Sequence, residues 1–195
     1  MPAPASGVAR GPALGLLELS LIARGVVVAD AVVKRADVEL VGSRPVPGGK
    51  HLVILSGGVE EIGEAMAAGR EAAGSALVDR LQLAYLYPPI WAMLGPPVHP
   101  LEWSDGPVGA AAIVETATVC SAVLAADAAG KTAPVALRDM RLAVGISGKA
   151  FFTMTGDLSD IEAAAAAARD AAGSLILDVQ VIPSPAPDLV GHLVF

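Results

Sequence analysis

Cysteine is almost absent from this sequence of 195 residues, and histidine is scarce. The single Cys120 excludes an internal disulfide and any all-cysteine metal site within one chain, and it fits a reducing cytoplasm. The three histidines are widely spaced and match no metal-binding pattern; they are His51, His99 and His192. We therefore expect no metal, no cofactor and no enzyme, since no nucleophile–base pattern is recognisable either.

Basic residues and long apolar runs are also lacking. The chain has 13 Lys and Arg against 20 Asp and Glu, a net charge of −7, without a basic stripe, so we expect no nucleic-acid partner. A membrane-spanning helix needs about 20 consecutive apolar residues, but charged residues such as Asp30 and Glu162 interrupt the apolar runs. Residues 1–11 contain prolines and lack the apolar segment of a secretion signal. We expect a disordered lead-in there, and no membrane partner.

What the sequence has in excess is apolar surface. Hydrophobic residues make up 54% and charged residues 17% of the chain, against about 25% for charged residues in typical domains. The mean hydropathy is +0.60. Because a small domain buries only part of its surface, a monomer of this composition would expose many apolar groups to water. The composition predicts large interfaces between subunits.

The chain contains two copies of one segment. The first part of each copy aligns at an offset of 97 residues and the second part at 99, with the step between Arg44 and Gly49, where a Pro- and Gly-rich loop would absorb it. Matches sustained in one register indicate an internal duplication. The matched pairs include Glu18 with Glu115, Asp30 with Asp127, Lys34 with Lys131, Gly49 with Gly148, Lys50 with Lys149 and Asp79 with Asp178.

Each copy has the same order of predicted elements, β-α-β-β-α-β, which is the ferredoxin-like arrangement. The predicted fold class is therefore α+β, with two ferredoxin-like domains in tandem. Ser20 is expected to cap the first helix and Gly74 to end the second. The first copy has strands at 13–19, 38–46, 51–55 and 76–83 with helices at 20–36 and 59–73, and the second has strands at 110–115, 135–144, 150–155 and 175–182 with helices at 118–132 and 158–172.

A proline-rich stretch separates the two copies. Six prolines and both tryptophans lie between residues 85 and 107, and prolines at that density break helices and central strands. One short helical turn is expected at 90–94. The predicted organisation is a lead-in at 1–11, a first domain at 12–88, a linker at 89–107, and a second domain with a C-terminal tail at 108–195.

Short motifs in both copies resemble the bacterial microcompartment shell domain. The first copy has L-G-L-L-E at 14–18, A-D-A followed by a lysine at 29–34, and P-G-G-K at 47–50. The second has I-V-E-T at 113–116, A-D-A at 126–128 and G-D-L at 156–158. Each motif is weak alone, but their order, spacing and duplication over residues 12–88 and 108–185 make the resemblance specific. Two such domains in one chain resemble the tandem-domain subclass of that family.

This resemblance implies a structural shell protein in the cytoplasm, part of the shell of a bacterial microcompartment. It implies a homotrimer whose six domains imitate a hexamer around a central pore for small polar metabolites, with neighbouring single-domain hexamers and vertex pentamers as partners. Because the two pore turns differ, the pore would be three-fold. The resemblance places Lys34 and Lys131 at the tile edge. The implied pore-lining residues are Pro47, Gly48, Gly49, Lys50, Ile146, Ser147, Gly148 and Lys149.

Two departures from the family pattern limit the resemblance. Members often carry Pro-Arg-Pro after the last strand, but the corresponding places are Y-P-P at 87–89 and P-S-P at 183–185, so the arginine that helps lateral contacts is missing. Some tandem members hold an iron–sulfur cluster through a pore-loop cysteine. Neither pore loop has one, and Cys120 falls in a predicted helix, so the resemblance does not extend to a cluster.

Other interpretations of these features stay open at this point. Glycine turns alone indicate hairpins, and a lysine at a helix end complements the helix dipole. The chain could also be a soluble ligand-binding or regulatory oligomer of ferredoxin-like domains, in which the glycine turns hold an effector at a subunit cleft. An uncharacterised enzyme is a third possibility.

Overall fold

A computed structural model describes residues 11–95, 108–143 and 148–190. Both halves have the order β-α-β-β-α-β, which confirms the predicted α+β class and the tandem ferredoxin-like arrangement. The first half consists of β1 (Ala13–Leu19), α1 (Ile22–Arg35), β2 (Glu39–Val46), β3 (Lys50–Gly57), α2 (Val59–Ala73) and β4 (Leu77–Leu83). The second consists of β5 (Ala110–Thr116), α3 (Val119–Thr132), β6 (Ala136–Leu142), β7 (Ala150–Gly156), α4 (Leu158–Ala172) and β8 (Ile176–Pro183), followed by the short α5 (Pro187–Val190).

Each half forms a four-stranded antiparallel sheet with the same strand order. The orders are β2-β3-β1-β4 and β6-β7-β5-β8. The registers agree as well: Leu16 lies opposite Ile54 in the first sheet, and their repeat partners Ile113 and Thr153 lie opposite each other in the second. The duplication found in the sequence is therefore a duplication of structure down to single residue pairs.

The two faces of the first sheet pack against different halves of the chain. Side chains alternate between faces along a strand, so Leu17 and Leu19 join α1 and α2 in a core local to the first half. Leu14 and Leu16 point the opposite way and belong to a larger core shared with the second half. Among the described residues, no helix is both long and apolar enough to cross a membrane.

The predicted linker begins as packed structure. Pro88–Met93 forms a 3₁₀ turn, close to the short helical turn expected at 90–94. Ile90 and Leu94 are fully buried in the shared core, so this segment joins the halves by packing as well as by covalent connection. The rest of the linker, at 96–107, lies outside the described residues.

The helix boundaries match the predictions closely, except for one cap. α2 and α4 have the predicted bounds, and α2 ends at Gly74 as expected. The prediction that Ser20 caps α1 is wrong, because Leu21 occupies the N-cap position and makes no side-chain hydrogen bond. Both the backbone N–H and the hydroxyl of Ser20 donate to the carbonyl of Ala76, which holds this residue against the end of α2 instead.

Candidate functional site

Two glycine turns connect the strands of the central hairpins. In the first, Pro47 is exposed and Gly48 and Gly49 adopt φ values of 84° and 74°. This left-handed conformation is strained for other residues, so the turn presents backbone rather than side chains. In the second turn Gly148 has a φ of 84°. The predicted pore residues Ile146 and Ser147 lie outside the described residues.

The structure brings these two turns together. The Lys50 Nζ donates a hydrogen bond of 3.2 Å to the Gly148 carbonyl, across 98 positions of sequence. A side chain at Gly148 would lie 3.4 Å from the Pro47 carbonyl oxygen. The turns predicted to face one pore are thus neighbours within one chain.

Glu18 is the centre of the contact beneath the turns. Its side chain is 0% exposed, and its Oε1 accepts from the Lys50 Nζ at 2.6 Å. Its Oε2 accepts from the backbone N–H of Val119 at 2.8 Å, at the first residue of α3. A buried carboxylate is tolerated only when it is paired and hydrogen-bonded, and a helix N-terminus favours negative charge. Glu18 meets both conditions by joining the two halves.

The repeat counterpart of this pair is open to solvent. Glu115 and Lys149 form an ion pair at 2.8 Å, with 37% and 52% of their side chains exposed. The Glu115 Oε1 accepts from Lys149, and its other oxygen accepts no hydrogen bond within the described residues. The same two side chains therefore form a buried contact in one half and an exposed one in the other.

A second contact joins the halves near the other end of α3. Asp127 is buried and accepts from the backbone N–H of Tyr87 at 2.7 Å. The Lys131 Nζ donates to Asp127 at 2.7 Å and to the Tyr85 carbonyl. Lys131 remains partly exposed beside this contact, and its role at a tile edge stays a prediction.

Among residues 11–95, 108–143 and 148–190, the corresponding pair on α1 has no such backbone partner. Asp30 and Lys34 form an ion pair at 2.6 Å, and both side chains are mostly exposed. Exposed ion pairs of this kind contribute little to stability. The tile-edge role of Lys34 also stays a prediction.

Two residues that the sequence singled out are buried in the fold. Cys120 lies in α3, as predicted, and burial raises the pKa of its thiol well above the ordinary value. His51 packs beneath Gly25 of α1, its Nε2 lies 2.8 Å from the Ser43 hydroxyl, and burial lowers its pKa. Neither presents a reactive group at the turns. In the part of the chain that the structure describes, no cluster of His, Cys, Asp and Glu could hold a metal ion.

The sequence repeat left the roles of Glu18, Glu115 and Asp127 unassigned, although it had matched each of them with a counterpart in the other half. Apart from Lys131, their partners lie 32 to 101 positions away, and no local pattern indicates such contacts. One sequence signal could have indicated them: an acidic residue is retained near the end of the first strand of each half, where an apolar residue would be expected.

Comparison with known proteins gives consistent relatives. The BMC domain family matches residues 13–84 and again residues 110–185. The bacterial microcompartment shell protein PduT of Citrobacter freundii is 39% identical over 175 residues, which cover 89% of this chain and 92% of that protein.

Solved structures agree with these sequence matches. A microcompartment protein from Desulfitobacterium hafniense DCB superposes with a TM-score of 0.77 at 34% identity, over 92% of this chain and 98% of that one. A fused permuted hexameric shell protein of the RMM microcompartment shares the fold, with a TM-score of 0.60 at 22% identity over 83% and 84% of the two chains. The chain therefore belongs to the BMC-domain family of bacterial microcompartment shell proteins, and it is a structural component of such a shell.

Proposed function

We propose that three copies of this chain close into a ring of six domains, a pseudohexameric tile with a central three-fold pore and no enzymatic activity. The observation that carries the proposal is the contact between the two halves. It joins the open face of one sheet to a helix of the next domain, so the two surfaces in contact are unlike. A contact between unlike surfaces gives a ring when its rotation closes and an open filament when it does not, and we propose that this one closes after six domains.

In a single chain, two surfaces remain without this kind of contact: the outer surface of α1 and the open face of the second sheet. On α3, Val119 and Val123 are fully buried at or near the contact between halves. Their repeat counterparts on α1, Ile22 and Val26, are 45% and 58% exposed. Apolar groups exposed together mark an interaction site. α1 therefore presents the surface that α3 buries, and the second sheet presents the surface that receives it.

Closure of this ring brings the glycine turns to its axis. The first turn contributes Pro47, Gly48, Gly49 and Lys50, and the second contributes residues 146–149. The hydrogen bond between Lys50 and the Gly148 carbonyl supports a shared position for the two turns. Backbone groups and lysines suit small polar metabolites. Because the two turns differ in sequence, three of each line a pore of three-fold symmetry.

The outer edge of this tile meets neighbouring shell proteins. The family assembles into shells, and we propose single-domain hexamers and vertex pentamers as the partners of this trimer. Lys34 and Lys131 occupy matched positions at the ends of α1 and α3. We assign them to the edge contact with the adjacent tile.

The trimer is tested by sedimentation velocity and native mass spectrometry. The wild-type chain should have the mass of three copies, and Val26→Arg should shift it to one copy because the substitution charges the α1 surface. Val59→Arg is the matched control: Val59 is similarly exposed, and its repeat counterpart Leu158 stays exposed in the second half. A monomeric wild type, or a trimeric Val26→Arg variant, would contradict the proposal.

The pore is tested on assembled shells. Ser147→Trp should slow the uptake of a small polar solute without preventing assembly, since the substitution adds bulk at the pore turn. Unchanged uptake in assembled Ser147→Trp shells would remove this turn from the pore. Discrete oligomers that never assemble and that bind an effector saturably would instead support the regulatory alternative.

A further inference from the structure

We propose that Glu115 of one copy caps α1 of the next copy, accepting a hydrogen bond from the backbone N–H of Ile22. This inference rests on the ring proposed above and names the contact that holds its chains in register beside the pore. The partner is a second copy of this chain, and the contact reproduces between chains what Glu18 does within one chain.

The contact within the chain supplies the geometry. Glu18 stands at the end of β1 and accepts from Lys50 with one oxygen and from the Val119 N–H with the other, at 2.6 and 2.8 Å. The repeat offsets relate Glu18 to Glu115, Lys50 to Lys149 and Val119 to Ile22. Every participant therefore has a counterpart, and two of the three counterparts already form their ion pair.

The N-terminus of α1 lacks the acceptors that α3 has. Leu21 at the α1 N-cap has no side-chain acceptor, and the first turn contains no acidic residue. α3 begins at Thr118, which forms a reciprocal capping box with Ser121, and it also receives Glu18. The first amides of a helix need partners from outside the helix. Within the described residues, no side chain supplies such a partner to α1, and we assign the role to another copy of the chain.

Glu115 has a carboxylate oxygen that could accept this hydrogen bond. One of its oxygens is bound to Lys149, the other accepts nothing within the described residues, and the side chain is partly exposed. A carboxylate placed at a helix N-terminus is favoured by the helix dipole, and covering it with α1 would exclude water and strengthen the contact. The Ile22 N–H is a donor at the positive end of a helix, and the Glu115 carboxylate is a negatively charged acceptor at the matching repeat position.

A flanking pair supports the same register. Asp30 and Lys34 are exposed on α1, whereas their counterparts Asp127 and Lys131 bind the backbone of Tyr87 and Tyr85. In the proposed ring, Asp30 and Lys34 would face the segment just after β8 of the neighbouring chain.

Three alanine variants test this contact in sedimentation velocity over a concentration series. Glu115→Ala should raise the dissociation constant of the trimer about tenfold or more, the effect expected for loss of a hydrogen bond to a charged group. Lys149→Ala removes the ion pair but leaves the cap, so it should have a smaller effect. Glu18→Ala should instead lower the melting temperature by about 10 °C at every protein concentration.

Amide hydrogen exchange distinguishes loss of the Glu115 cap from a general loss of folding. In the wild-type trimer the first turn of α1 should exchange slowly, and Glu115→Ala should release this turn while β1 and β3 keep their protection. If Glu115→Ala remains as trimeric and as protected as the wild type, the cap is wrong and the ring stands. If the wild type never forms a trimer, the ring itself is wrong and the cap with it.

Discussion

Gly25 and His51 form a matched pair in the first half of the chain. A side chain on Gly25 would lie 2.2 Å from the imidazole ring of His51, so only glycine allows α1 to pack on this ring. At the same two places the second half has Ala122 and Ala150, both fully buried. The first half therefore packs a histidine against a glycine at these positions, and the second half packs two alanines there.

Gly25→Ala should destabilise the chain, and Gly25→Ala with His51→Ala should recover much of the loss. Alanine is the better helix residue by about 1 kcal/mol, but overpacking costs about 1–3 kcal/mol, so the clash wins in the single variant. The measurement is the free energy of denaturant unfolding for both single variants and the double variant. Additive effects would show that the two residues do not share a packing constraint.

α1 and α3 show what the duplication retained and what it lost at the scale of an element. Both have 14 residues and end with a lysine in the last turn, yet only α3 has a side-chain cap. The position before the first helical residue is Thr118 in α3 and Leu21 in α1. Leu21 is exposed in the single chain, so it contributes little to stability there.

Leu21→Thr should stabilise α1. A threonine at the N-cap can accept from the amides of the first turn, which is worth about 1 kcal/mol and about 2–4 °C of melting temperature in a chain of this size. Calorimetry on the variant and on Thr118→Ala, which should lose a similar amount, makes the comparison. A melting temperature that does not rise would show that α1 gains nothing from a cap.

Element bounds could be predicted well because their signals are local. Alanine-rich runs bounded by glycines define α2 and α4, and the proline- and glycine-rich turns separate the strands. The Ser20 cap was wrong for a physical reason: its hydroxyl donates to Ala76, 56 positions away, in preference to the adjacent helix. The acids at 18 and 115 were found as matched residues, but the role of Glu18 depends on the N-terminus of α3, which lies 101 positions away and carries no local signal.

At the scale of the whole described structure, the two sheets share one large core. The core of the second half continues through the open face of the first sheet, and the 3₁₀ turn at Pro88–Met93 packs between them. The first half alone would expose Leu14, Leu16 and their neighbours to water. We therefore expect the two halves to unfold together.

Leu16→Ala tests the packing between the two halves of one chain, and Ile113→Ala tests the association between chains. Leu16 is fully buried at the contact between halves, so Leu16→Ala should lower the free energy of unfolding by about 2–5 kcal/mol. Ile113, its counterpart, is partly exposed, on the face that the proposed ring assigns to a neighbouring chain. Ile113→Ala should therefore cost less in a dilute monomer and should weaken the trimer instead.

Unfolding followed by two probes makes this comparison decisive. Trp91 packs against the shared core, so in a Trp103→Phe background its fluorescence reports the contact between halves. Circular dichroism reports the helices of both halves. In Leu16→Ala the two signals should be lost in one transition at lower denaturant, because the open face of the first sheet and the second half share one core. Two separated transitions in the wild type would mean that the halves are independent domains joined only by a linker, and the ring would then depend on contacts between chains alone.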